Sequence, residues 1–171
     1  EVEISEYLRM TLDYNVPLAL AINTEKARSE FIIANILLEL RRQLNDQISL
    51  FSGVNLDVDK NRDLSGFCDY ILSKSSEQFY LSAPVLAIVE AKNDQVTNGL
   101  GQCIAEMIAV RIFNGREGNP VNSIYGAVTT GSNWKFLKYE NDVIYIDRPE
   151  YYIADVNKIM GILVKMMCQE A

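Results

Sequence analysis

Apolar residues follow two rhythms along this chain, spacings of three and four residues and short alternating or continuous runs. Their order predicts a helix, three strands, a helix, a strand, two more strands and a last helix. The stretch that organises the rest is Val85 to Lys92, Val-Leu-Ala-Ile-Val-Glu-Ala-Lys. Its unbroken apolar start is that of a strand covered on both faces. Alternation puts Leu86, Ile88, Glu90 and Lys92 on one face and Val85, Ala87, Val89 and Ala91 on the other, so Glu90 and Lys92 point the same way. A carboxylate and an ammonium at the end of a buried strand are costly to desolvate unless they are paired or used.

Upstream, Glu1 to Leu12 is a short amphipathic stretch, and Tyr14 to Ile22, which carries Pro17, reads as an extended lead-in. Asn23 or Thr24 caps a helix running to about Gln43, with Glu25 in its first turn. Arg28, Asn35, Glu39 and Arg42 form its polar stripe; Ala27, Glu30, Ala34, Leu37 and Leu38 form the apolar one, which leaves Glu30 on the wrong face for a solvated acid. Pairing with a neighbouring Arg or Lys and a role at a functional site both account for it. Ile48 to Leu56 is a strand, Asp57 to Asp63 a turn, and Gly66 to Leu72 a second strand with Phe67, Asp69 and Ile71 on one face and Cys68, Tyr70 and Leu72 on the other. A Ser-rich connection, Ser73 to Pro84, containing Phe79 and Tyr80 as a hydrophobic lid or as stacking residues, returns the chain antiparallel into Val85 and sets Asp69 beside Glu90.

Asn98 caps a helix from about Gly99 to Phe113, closed by Asn114-Gly115; Gln102 and Glu106 lie one turn apart on its side. The glycines flanking Leu100 suit close packing. Ser123 to Thr129 follows after a connection long enough for a parallel crossover, then Trp134 to Tyr139 and Val143 to Ile146 form a meander turned at Asn141-Asp142. In the last helix, Ala154 to Met167, the Met-rich stripe predicts core or dimer packing. One α/β domain with a mixed sheet flanked by helices results, spanning residues 1–171.

Composition narrows the chemistry. The chain has 171 residues, 49% of them hydrophobic, and no apolar run of the length a membrane helix needs, so a soluble, cytoplasmic protein is expected. It lacks histidine, which excludes Ser-His and Cys-His catalysis and His-ligated zinc within this chain. Cys68, Cys103 and Cys168 are too few and too scattered for a disulfide framework and are expected as buried thiols. The net charge of −7 argues against a broad basic nucleic-acid surface, although an acidic metal site also lowers the charge.

Asp69 on one strand, Glu90-Ala91-Lys92 at the end of the next, a preceding helix bearing Glu30 and a following helix bearing Gln102 resemble the PD-(D/E)XK nuclease superfamily, whose core is αβββαβ. The resemblance covers about residues 24 to 130 and is nearest to an uncharacterised bacterial branch similar to restriction endonucleases, through Gly66-Phe67-Cys68-Asp69-Tyr70, Gly99-Leu100-Gly101-Gln102 and Gly126-Ala127-Val128-Thr129-Thr130-Gly131. Cys68 stands where the family name implies proline, and no appended DNA-reading domain is visible. The resemblance implies a restriction endonuclease-like fold with an added C-terminal meander and helix, and hydrolysis of nucleic acid, DNA before RNA. It implies Mg²⁺, or Mn²⁺ in its place, on Asp69, Glu90 and the Ala91 carbonyl, with Lys92 orienting water or stabilising charge. Glu30 would position a metal-bound water or a second metal, and Gln102 would orient Lys92 or touch substrate. A homodimer would suit cleavage of both strands of a duplex. Two other readings stay open: a non-cleaving binding or scaffolding module on the same fold that needs a partner chain, and a buried ion-pair network of Asp69, Glu90 and Lys92 with no metal.

Overall fold

The structure, a computed structural model, describes residues 1–59 and 64–168, the side chains of 57, 59, 64 and 65 excepted. Its first element corrects an expectation: Glu6–Ile22 is a helix, α1, that runs straight through Pro17. Ser5 caps its start by accepting from the Leu8 N–H, and Asn23, at φ 53°, closes its end. A proline inside a helix costs about 3 kcal/mol. Burial of Leu8, Leu12 and Ala19 along one face offsets it.

Thr24 caps α2, Glu25–Arg28, which continues through a π turn, Ser29–Ile33, into α3, Ala34–Gln43. The wider turn shifts the phase of every residue that follows, so a stripe drawn at constant 3.6-residue spacing fails here. Ile32, Ile33, Ile36, Leu37 and Leu40 are buried, Leu38 is exposed, and Glu39, expected in solvent, is buried. The Glu39 carboxylate accepts from the Ser5 N–H and hydroxyl at 2.9 Å each, from Gln43 at 3.0 Å and from Arg42, which locks α3 against the start of α1.

Among the described residues seven strands form one mixed sheet: β1 Ser49–Asp59, β2 Leu64–Ser73, β3 Val85–Ala91, β4 Ser123–Thr129, β5 Asn133–Glu140, β6 Val143–Ile146 and β7 Tyr151–Tyr152. The order is β1-β2-β3-β4-β5-β6, with β7 on β5; β3 and β4 are parallel and the other pairs antiparallel. The parallel crossover is α4, Leu100–Arg116, entered through a 3₁₀ turn, Val96–Gly99, so Asn98 is not its cap. Nor does Asn114 end it. That residue is fully buried inside the helix and clamps the start of β3, donating to the Val85 carbonyl and accepting from the Val85 N–H, both at 2.8 Å. The meander turns at Asn141 and Asp142, φ 51° and 61°, the left-handed pair a tight hairpin requires.

One core lies between the sheet and α1, α3 and α5, Val156–Met167; the other lies under α4. Ile159, Met160, Leu163 and Met167 belong to the first core, so the Met-rich stripe packs within the chain rather than on a second copy. Cys168 is exposed, unlike Cys68 and Cys103. Phe79 and Tyr80 are 97% and 66% exposed, so neither is the expected lid, and their loop joins β2 to the start of β3, the end away from Glu90. The expected turn at Asp57 to Asp63 is partly strand, because β1 runs to Asp59; residues 60–63 lie outside the described ones.

Candidate functional site

The first two strands do not keep strict alternation. Phe51, Leu56, Val58, Cys68 and Ile71 all pack in the core under α4, with Val54 against it, although Phe51 and Val54, like Cys68 and Ile71, are three residues apart. Both strands therefore change face together, across Gly53, at φ 63°, and Asp69. Cys68 sits on the α4 side and Tyr70 on the opposite one, which corrects the shared face expected for them. Beyond this bend the hairpin bears on α4, where Arg116 donates to the Val58 carbonyl.

The bend opens the sheet at one place. Paired residues of β2 and β3 run from Ser73 with Val85 to Tyr70 with Val89, and the next step brings Asp69 to Glu90. There the Ala91 N–H donates to Asp69 Oδ2 at 2.8 Å, so a carboxylate replaces a backbone partner. On its other side β3 stays paired: the Lys92 N–H donates to the Thr129 carbonyl at 2.8 Å. On β3 alternation holds from Ala87 to Ala91 and breaks at Val85 and Leu86, where the β2 register shifts.

Glu90 and Lys92 point the same way, as expected; the side they share is the one under α4, and they form an ion pair between Nζ and Oε1, with side chains 1% and 19% exposed. Glu90 Oε2 is buried without a hydrogen-bond partner among the described residues. Lys92 Nζ also approaches Gln102 Oε1 at 3.4 Å, and Gln102 Nε2 donates to Glu106 Oε1 at 3.1 Å. Glu106 Oε2 is a second buried oxygen without a partner among the described residues. Gly99 closes on the lysine stem: a Cβ there would lie 2.6 Å from Val128 Cγ1, 3.1 Å from Lys92 Cγ and 3.2 Å from Lys92 Cε, whereas one at Gly101 would meet nothing within 4 Å. Close packing, expected of both glycines, is the job of Gly99 alone.

Glu30 stands apart. It is exposed and paired with Lys26 at 2.9 Å, the neighbouring-cation alternative weighed for it, and the buried face assigned to it is not observed. Its charge reaches Tyr70, the residue after Asp69, while Glu25 is among the acids that act on Lys92. Sequence reasoning assigned no place at the site to Glu25 or Glu106, and to Gly99 only close packing. For Glu106 a signal existed, the four-residue spacing from Gln102 on one helix.

Burial pushes the Glu90 carboxyl up to about 8, with Glu106 and Asp69 adding to the rise and Lys92 opposing it. Burial likewise raises Glu106 to about 7, with Asp69 adding and Gln102 and Lys92 opposing. Burial alone would lower Lys92, but Glu90, Glu25 and Asp69 outweigh it and hold the ammonium above its usual value. A protonated Glu90 would give Lys92 no ion pair, so the two shifts compete. The direction that holds is shortage of positive charge: three coupled carboxyls share one ammonium.

That shortage suits a hard cation. No group of three or more Asp, Glu, Cys or His side chains that could hold a metal exists among the described residues. The carboxylates present are Asp69 and Glu90, the latter with one oxygen unpartnered among the described residues; Mg²⁺ accepts one or two carboxylates with water in its other positions. Among the described residues no helix is long and apolar enough to cross a membrane. No family model, curated protein or solved structure matches the chain.

Proposed function

We propose that this chain is a metal-dependent nuclease on a restriction endonuclease-like fold, hydrolysing phosphodiester bonds of nucleic acid, DNA in the first instance. The observation that carries the reading is the meeting of Asp69, Glu90 and Lys92 where β2 and β3 part, with a buried Glu90 oxygen left unpartnered among the described residues. The helix, three strands, helix, strand order from α2 to β4, with β3 and β4 parallel, supports it.

Asp69, Glu90 and the Ala91 carbonyl hold Mg²⁺ or Mn²⁺, which supplies acidity to a bound water and charge neutralisation at the phosphate. The chain's own residues do the rest. Asp69 is oriented by the Ala91 N–H. Lys92, partly exposed and tethered to Glu90, donates from Nζ to the attacking water or to a phosphoryl oxygen as negative charge develops. The Gly99 backbone confines its stem, so the ammonium is positioned before substrate arrives. Gln102 supplies a second acceptor for Nζ.

The test is cleavage of single- and double-stranded DNA and RNA with Mg²⁺ or Mn²⁺, with Lys92→Ala run beside the wild type. Metal-dependent cutting that the variant loses by about a hundredfold or more is expected. Equal cutting by both, or none by either, overturns the reading, and the non-cleaving module that needs a partner chain then takes its place.

A further inference from the structure

We propose that Glu106 is a positioning residue: by accepting from the Gln102 side-chain amide it turns the amide so that the carbonyl end faces Lys92. The inference rests on the nuclease reading for its consequence, and on geometry for its substance. An amide has two unlike ends, a donor NH₂ and an acceptor oxygen. Lys92 Nζ carries only donors and the Glu106 carboxylate offers acceptors, so one orientation satisfies both neighbours and the flipped one sets donor against donor and acceptor against acceptor. The spacing is built into α4, since residues four apart share a helix face. Glu106 is half-buried and its Oε2 is fully buried without a partner among the described residues, which limits how far the carboxylate can turn and makes the acceptor a fixed one. The result is a relay, Glu106 to Gln102 to Lys92 to Glu90, in which α4 sets the ammonium of β3.

Glu106→Gln keeps an acceptor oxygen at this place; Glu106→Ala removes it. In the cleavage assay Glu106→Ala is expected to lower kcat about three- to tenfold with KM little changed, the scale of one lost hydrogen bond, and Glu106→Gln to restore most of it. Gln102→Ala should lower kcat similarly, and the double variant no further. A purely structural role predicts additive losses, which would overturn the proposal. A readout independent of cleavage is the Gln102 side-chain amide in ¹H–¹⁵N spectra: Glu106→Ala should move and broaden it, Glu106→Gln should leave it ordered. An amide unmoved in Glu106→Ala overturns the positioning role even for a protein that cuts nothing, whereas a wild type that cuts nothing but shows the amide shift overturns only the nuclease reading.

Discussion

Replacing Glu90 by glutamine separates the stability of this fold from the chemistry proposed for it. The side chain is 1% exposed and one of its oxygens is unpartnered among the described residues, so the charged form is the costly one. Its folded pKa, about 8, lies above the ordinary 4.5. For a carboxyl so raised, stability is fully present below the unfolded value and is lost as pH rises through the folded one, because the unfolded chain gives up the proton first. The whole rise corresponds to just under 5 kcal/mol at about 1.4 kcal/mol per unit. Water reaching the pair around the partly exposed Lys92 screens the charge, which brings the expected difference to about 2 kcal/mol. Urea unfolding in EDTA at pH 5 and pH 8.5 measures it. The wild type should lose about 2 kcal/mol more than Glu90→Gln across that window, since Glu106 contributes to both proteins. With Mg²⁺ at ten times its dissociation constant the wild type should regain about 1.4 kcal/mol and the variant nothing. Equal pH slopes for the two proteins would refute the argument that Glu90 carries a desolvation penalty.

The remaining expectations concern the supports of the site. Gly99→Ala forces a methyl against Val128 and the Lys92 stem; we expect about 1 to 3 kcal/mol of destabilisation by thermal unfolding, and a cleavage loss larger than that of Gly101→Ala, whose Cβ meets nothing. Asn114→Ala orphans the buried N–H and carbonyl of Val85 and should cost about 2 to 4 kcal/mol in urea, with hydrogen exchange fastest at the start of β3. Glu39→Leu should cost about 2 to 4 kcal/mol at neutral pH. Burial works against the Glu39 carboxylate, but Arg42, Ser5 and Gln43 outweigh it and hold its pKa below the ordinary value, so its stabilisation is present above about 4.5 and lost as pH falls. A variant no less sensitive to acid than the wild type would count against that account.

Much of the fold was legible because burial imposes a period. The apolar run of β3, the crossover helix, the parallel return into β4 and the Asn141-Asp142 hairpin all follow from local rules of spacing and turn chemistry. So did the pointing of Glu90 and Lys92 to one side, since alternation holds over the stretch that carries them. Where local rules failed, a non-local term won. Pro17 stands in a helix because one face of α1 is buried, and the π turn at Ser29–Ile33 rotates Glu39 inward and Leu38 outward, which no constant period can foresee. Asn114, a helix stop by composition, became a clamp on a strand far away in sequence.

The sequence by itself narrowed which hydrolytic chemistry this chain can attempt: without histidine and with scattered cysteines, it falls to carboxylates, lysine, tyrosine or a metal. It also placed Asp69 and Glu90-Ala91-Lys92 on successive strands. Only the tertiary structure decided how those groups meet. The paired bend at Gly53 and Asp69 parts β2 from β3, turning a strand residue into a ligand of the Ala91 N–H, and the approach of α4 brings Gly99, Gln102 and Glu106 onto Lys92. These are contacts between elements, and their geometry depends on how two packed faces settle against each other, a quantity that no window of sequence contains.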